Sequence, residues 1–173
     1  MQGAYPVTGV FEVIFRSLAD SITAIEPNFY TLPKPLQAVF VNEGMNPKQA
    51  AFYKPYFRNC LEAVKHLQDF GIPIVAGTDE GFPGYSVYRE LELYVQAGLT
   101  PMEALQTATI VPARVMNREA MSGSLSPGKA ADLILVDGNP LQDISNIRKV
   151  STVIKDGAVY DPVAMHRMVG FNL

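Results

Sequence analysis

The chain has 173 residues, 48% of them hydrophobic, with a formal net charge of −3 at neutral pH. That is enough apolar material for a packed core, and the charge balance leaves no electrostatic footprint for nucleic acid or an anionic membrane. One cysteine, Cys60, excludes an internal disulfide framework.

Lys and Arg are scattered, and no apolar run approaches the roughly 20 residues of a membrane span. No basic-then-apolar leader is visible, so a cytoplasmic setting is the expectation. In chain order, Val10, Val13, Ile14, Leu18 and Ile22 recur at helical spacing and predict an amphipathic helix. Pro27, Pro33 and Pro35 then break the chain, and residues 36–41 read as a brief strand or an extended loop. Asn46-Pro47 is a helix start whose apolar stripe, Phe57, Leu61, Val64 and Leu67, runs towards Gly71. Pro55 should kink or interrupt that helix. Cys60 falls on its apolar side and is read as core packing.

Residues 71–81 carry the sharpest signal. Ile72, Ile74 and Val75 between Gly71 and Gly77 predict a short buried parallel strand. Asp79 follows at its end. An aspartate just past such a strand sits at the carboxyl edge of a sheet, where α/β proteins place their chemistry. The competing reading has Asp79 capping a turn or the next helix. Glu80 beside it is either a group supporting Asp79 or, because neighbouring side chains diverge, a solvent-facing residue.

A loop rich in glycine and aromatics follows (residues 81–85). Phe82, Tyr85 and Tyr88 either line a pocket or pack the loop, and the residues leave both readings open. Ser86 is the predicted N-cap of a helix with Val87, Leu91, Tyr94 and Val95 on its apolar face and Gly98 just past its end. Thr100-Pro101-Met102-Glu103 forms a capping box that opens a second helix, with Ala104, Leu105 and Ala108 as a small-residue face. Two helices back to back after one strand suit the wall of a large α/β barrel better than a minimal βαβ unit. Further on, Pro127-Gly128 marks a turn and residues 133–136 a strand, ended by Gly138-Asn139-Pro140. Residues 150–154 and 158–160 form a hairpin around Asp156-Gly157. Lys129 and Asp132 flank the turn into the first of these strands and are read as orienting it.

Four segments taken together carry a resemblance. Gly-Ile-Pro-Ile-Val-Ala-Gly-Thr-Asp (71–79), Arg-Glu-Leu-Glu-Leu-Tyr-Val-Gln-Ala-Gly-Leu-Thr-Pro-Met-Glu-Ala-Leu (89–105), Ala-Thr-Ile-Val-Pro-Ala (108–113) and Gly-Lys-Ala-Ala-Asp-Leu-Ile-Leu-Val-Asp-Gly-Asn-Pro-Leu (128–141) stand in the order found at the carboxyl end of the amidohydrolase superfamily. The chain most resembles the branch with imidazolonepropionase-like enzymes and prolidase-type metal-dependent peptidases. The resemblance implies an α/β fold. Residues 1–118 would be the C-terminal part of a (β/α)8 TIM-like barrel, its last strand and flanking helices. Residues 119–173 would supply the C-terminal strands of a small composite β-sandwich. It further implies one or two divalent metals, usually zinc, and hydrolysis of a C–N bond in a cyclic amide or dipeptide-like small molecule. Asp79 matches the aspartate after the eighth barrel strand, and by that match it is both metal ligand and general base toward a metal-activated water.

The chain also departs from the family pattern. It has no His-x-His pair and only two histidines, His66 and His166. His66 lies off the apolar face of its helix, beside Glu62 and Asp69, and reads as solvated. His166 lies in a polar, Met-containing tail after the last strand, and neither histidine is read as a metal ligand. One carboxylate cannot supply the three or four ligands of a zinc site, and a complete barrel needs about 250 residues. The metal is therefore expected in the complete protein and not in this chain alone. The expected partners are a small-molecule substrate and either the missing N-terminal portion of the barrel or a complementing chain. The alternative is a catalytically inactive remnant or assembly module exposing the edges of an unfinished barrel.

Overall fold

The computed structural model describes residues 3, 4, 6–79, 82 and 84–173. In chain order they form α1 (Thr8–Phe15), α2 (Lys34–Phe40), α3 (Pro47–Asp69), α4 (Ser86–Gln96), α5 (Pro101–Thr107), α6 (Ile110–Val115), β1 (Leu133–Val136), β2 (Val150–Lys155), β3 (Ala158–Tyr160) and α7 (Pro162–Met168), with short 3-10 turns between.

Helix α1 is shorter than its apolar spacing predicts. At Arg16 the backbone leaves the helix, and Met45 N donates to Arg16 O while Leu18 N donates to Met45 O, both at 2.8 Å. The buried Arg16 guanidinium donates to the carbonyls of Asp20, Val41 and Glu43, so it ties two chain reversals together. Leu18 is exposed, and Ile22 reaches the core from a separate 3-10 turn.

Residues 36–41 are not a strand. Residues 36–40 belong to α2 and Val41 is its C-cap; Pro33 is the N-cap and Pro35 lies in the first turn, a place where a missing N–H breaks no helical bond. Gln37 is buried and its amide donates to the carbonyls of Tyr30 and Leu32, at 3.1 and 2.6 Å, which anchors the helix on the preceding turn.

Helix α3 starts as expected, with the Asn46 side chain accepting from Gln49 N. It continues through Pro55 without interruption. Pro55 and Ala51 are both exposed, so the Ala51 carbonyl that loses its helical donor faces water. Cys60 is only half-buried, which makes it a peripheral packing residue, and burial pushes its thiol up.

The predicted strand around Ile74 is an extended segment with a single parallel bridge, Ala4 to Ile74. Ala4 N donates to Pro73 O and Val75 N to Ala4 O, and on the other side Ala76 N donates to Thr107 O. Ile74 and Val75 are buried as expected. Among the described residues this bridge is the only strand-like pairing near Asp79, so a closed barrel is not formed by them.

Local signals decide the next elements. Gly98 adopts φ +106; its N–H donates to Val95 O and that of Leu99 to Tyr94 O, a Schellman ending for α4. The Thr100 capping box at α5 is complete on both sides. Strands β1, β2 and β3 form an antiparallel sheet in that order. Asp156 (φ +51) and Gly157 (φ +80) make the hairpin turn between β2 and β3, the two positive values a type I′ turn needs. Asp132 accepts from Asp156 N and Lys155 Nζ, while Lys129 Nζ reaches Ser124 Oγ at 2.7 Å. The sheet's apolar run is not fully covered, since Ile134, Leu135, Val159 and Tyr160 are exposed.

Two apolar clusters result. One joins Phe29, Leu32, Phe82, Tyr85 and Phe171; the other joins Val64, Ile74, Leu91, Tyr94 and Ile147. Tyr88 on α4 packs against both. No helix among the described residues is long and apolar enough to cross a membrane.

Candidate functional site

Asp79 ends the extended segment in a left-handed conformation (φ +44), with its side chain exposed. Aspartate tolerates that region better than most residues, so the chain can turn sharply there and present a carboxylate. The N-cap of α4 is Tyr85, so Asp79 does not cap that helix. Ser86, predicted as the cap, is its first residue. Its hydroxyl accepts from Phe82 N at 3.1 Å and donates to Phe82 O at 3.0 Å, closing the loop on itself. Glu80, Gly81 and Pro83 lie outside the described residues.

Helix α4 brings charge into the interior on two faces. Glu90 is fully buried and accepts from Gly9 N at 2.7 Å, Thr8 N at 2.9 Å and the Thr8 hydroxyl. It thereby satisfies the free N–H groups opening α1, which Val7 at the N-cap offers no side chain to meet. Desolvation raises the Glu90 pKa, and the Thr8 and Gly9 donors pull against that. One turn on, the Tyr94 hydroxyl donates to Pro6 O at 3.0 Å and lies beside Glu90 and the Gly77 N–H. Burial, then the Glu90 charge, push its phenol well up.

On the adjoining face runs an alternating ion chain. Glu12 meets Arg89 at 2.5 and 2.7 Å, and Arg89 meets Glu92 at 3.0 Å. Glu92 meets Arg148 at 2.5 and 3.2 Å, and Arg148 meets the fully buried Glu26 at 2.9 and 3.0 Å. Burial alone would lower the pKa of both guanidiniums, but the carboxylates outweigh it and hold them above the usual value. This chain joins α1 and α4 to the segment between β1 and β2. None of it was marked in the sequence.

Of the aromatics after Asp79, Phe82 is buried packing against Phe29 and Phe40. Tyr85 is buried too, its hydroxyl 2.8 Å from Thr31 Oγ1. Tyr88 is half-buried, with Arg148 5.8 Å above its ring. Tyr85 and Tyr88 also edge a cavity of about 500 Å³ shared with His166, Phe171 and β2. The packing reading therefore holds for all three residues, and Asp79 is not among the residues lining the cavity that two of them edge.

His66 is exposed in the last turn of α3, as expected. The tail that holds His166 is helical. His166 sits on α7, half-buried, stacked on Phe171 (4.7 Å, 23°) and 5.5 Å from Tyr85, and burial lowers its pKa. Among the described residues no group of three or more His, Cys, Asp and Glu side chains is placed to hold a metal ion. Asp79 is a suitable single donor, and the described residues alone do not make a complete metal site.

Residues 30–160 match the Amidohydrolase family. The chain is similar to the imidazolonepropionase of Geobacillus kaustophilus, at 36% identity over 103 residues, 55% of this chain and 24% of that protein. It is similar to the ochratoxinase of Aspergillus niger, at 36% identity over 123 residues, 68% of this chain and 25% of that protein. Among solved structures it is similar to a Xaa-Pro dipeptidase with methionine bound in its active site, with a TM-score of 0.56 and 36% identity over 66% of this chain and 28% of that one. The chain thus spans about a quarter of the length of the curated relatives it matches. The matched region takes in Asp79, helices α3 to α6 and the whole β-sheet. The chain therefore belongs to the Amidohydrolase family, a family of hydrolases with a TIM-barrel-type fold and a general dependence on divalent metal.

Proposed function

We propose that this chain carries the reacting carboxylate, Asp79, of an enzyme that hydrolyses a non-peptide or dipeptide-like C–N bond in a small molecule. The observation that carries the reading is the placement of Asp79: exposed, with a positive φ, at the carboxyl end of an extended segment bridged in parallel to Ala4. In this reading residues 1–118 are the end of the barrel and residues 119–173 part of the β-sandwich. The remaining ligands then come from the rest of the barrel or from a complementing chain. The family's divalent metal, zinc in our reading, would supply an activated water and a polarised carbonyl once Asp79 is joined by those ligands. The step assigned to this chain is the proton transfer. Asp79 takes a proton from the attacking water as the C–O bond forms, and gives it to the amine nitrogen as the C–N bond breaks.

The experiment is hydrolysis of cyclic amides, N-acyl amino acids and Xaa-Pro dipeptides by the protein carrying this chain, with and without Asp79→Asn. Loss of a general base should lower kcat by about 100- to 10,000-fold, with little change in thermal stability because Asp79 is exposed. Retained activity in the variant would remove Asp79 from the mechanism. A second reading, an inactive assembly module, is favoured by the open apolar side chains Ile134, Leu135 and Val159 on the sheet. It predicts no turnover of any of these substrates and a self-associated or partner-bound state.

A further inference from the structure

We propose that the cavity between α1 and the start of α3 binds a small carboxylate with an apolar body, and that Arg16 and Lys54 supply its counter-charge. The inference goes beyond the role given to Asp79 and does not depend on it. The cavity holds about 430 Å³, within the range of small-molecule sites. Its apolar walls are Phe15 at the end of α1, Ile25 after the first 3-10 turn, and Phe57 on α3. Arg16, the residue at which α1 stops, lines the same space.

Arg16 is what singles this cavity out. Only 8% of the residue is exposed, and no carboxylate pairs with it among the described residues. Its partners are the carbonyls of Asp20, Val41 and Glu43, which set partial charges against a full one. Its Nε is buried and has no acceptor. A buried cation without a counter-ion is costly. Elsewhere in the fold the buried charges are met: Arg148 lies between Glu26 and Glu92, and backbone donors hold Glu90. The surroundings of Arg16 add positive potential. Lys54 lines the cavity and has no ion pair among the described residues. Pro47 and Ala50 also line it, so the positive end of the α3 dipole borders the same space. Two lining carboxylates leave this balance standing. Arg89 occupies both oxygens of Glu12, and Asp20 is exposed and gives Arg16 its carbonyl, not its carboxylate. One unpartnered guanidinium nitrogen and one ammonium suit a singly charged carboxylate better than a dianion. The aromatic walls favour one that carries an apolar group.

The test is isothermal titration calorimetry of the full chain with phenylacetate, with the neutral phenylethanol and with sulfate. Neither organic probe has a C–N bond, so turnover at Asp79 adds no heat and the outcome is independent of that residue's role. Phenylacetate should bind about tenfold more tightly than phenylethanol, the factor that a hydrogen bond to a charged group is worth at least. The titrations are repeated with Lys54→Gln and with Lys149→Gln, both exposed lysines, of which only Lys54 lines the cavity. Lys54→Gln should weaken phenylacetate by about two- to fivefold, the scale of an exposed charge pair, and leave phenylethanol unchanged. Lys149→Gln should change neither. No binding of phenylacetate, equal affinity for the acid and the alcohol, equal losses in the two lysine variants, or sulfate binding as tight as phenylacetate would each overturn the proposal.

Discussion

Replacing Arg148 by methionine should strand a carboxylate that has no route to water. Glu26 is 0% exposed. Its oxygens receive Arg148 Nη1 at 2.9 and 3.0 Å, and the other donor to it among the described residues is Asn28 N at 3.0 Å. Methionine keeps much of the apolar stem but removes every guanidinium donor and the guanidinium's place over the Tyr88 ring. Glu92, the other partner of Arg148, still has Arg89 at 3.0 Å, so its share of the loss is small. Breaking a buried pair from one side costs about 3–5 kcal/mol. For a chain of this size roughly 2–4 °C accompany each kcal/mol, so Tm should fall by about 6–20 °C. The assay is thermal unfolding of the parent, Arg148→Met, Glu26→Gln and the double variant. In the double variant a neutral amide replaces the abandoned charge, so at least half of the loss should return. A fall of less than about 1 kcal/mol in Arg148→Met, the scale of a solvent-exposed pair, or simple additivity in the cycle, would refute the reasoning.

Two further perturbations isolate single interactions. Thr100→Ala removes the side chain that accepts from Glu103 N and lies 2.8 Å from Glu103 Oε2, and should cost about 1 kcal/mol of unfolding free energy in urea. The Thr100 N–H, which the variant keeps, and the Thr100 hydroxyl, which it loses, both hold the Glu103 carboxyl below its usual value, so the hydroxyl's share is present above the ordinary carboxylate range and lost as pH falls through the depressed value. The difference between parent and variant should therefore shrink in strong acid, and a constant difference would count against the capping account. His166 titrates with the opposite consequence from a paired histidine. Burial lowers its pKa, so the unfolded chain binds the proton first and stability is lost as pH falls through about 6.5 towards the depressed folded value. His166→Phe, which can keep the stacking on Phe171 and Tyr85, should flatten Tm over that window; an unchanged slope would clear His166 as its cause.

What the sequence made legible was chemistry confined to a few neighbouring residues. The Thr100 box, the Asn46-Pro47 start and the Asp156-Gly157 turn each place backbone donors and acceptors within a turn of one another, and all three occur in the structure. Errors arose where a distant partner decided the outcome. Residues 36–40 are helical because Gln37 reaches back to two carbonyls of the preceding turn. The first helix stops at Arg16 because Met45 pairs with the backbone there. Pro55 leaves α3 unbroken because it lies on the wet side, and exposure was not readable from that apolar spacing.

The same division runs through the candidate site. Asp79 was visible because a buried extended run followed by glycine and aspartate is a local pattern. The buried carboxylate of α4 was not. The apolar spacing placed Val87 on the inner face of α4, yet Val87 is exposed, while Glu90 and Leu93 are buried there. Glu90 precedes Tyr94 by four residues, so the two share a face, and both flank the apolar positions Leu91 and Leu93. A carboxylate at such a position is costly unless donors from elsewhere meet it, so its presence within the buried stripe implies unseen donors. Those donors are the open N–H groups at the start of α1, a helix whose Val7 cap could not satisfy them. A helix opening without a capping side chain and a carboxylate out of place on a buried face are two halves of one contact. The mismatch in each half was legible before their meeting was.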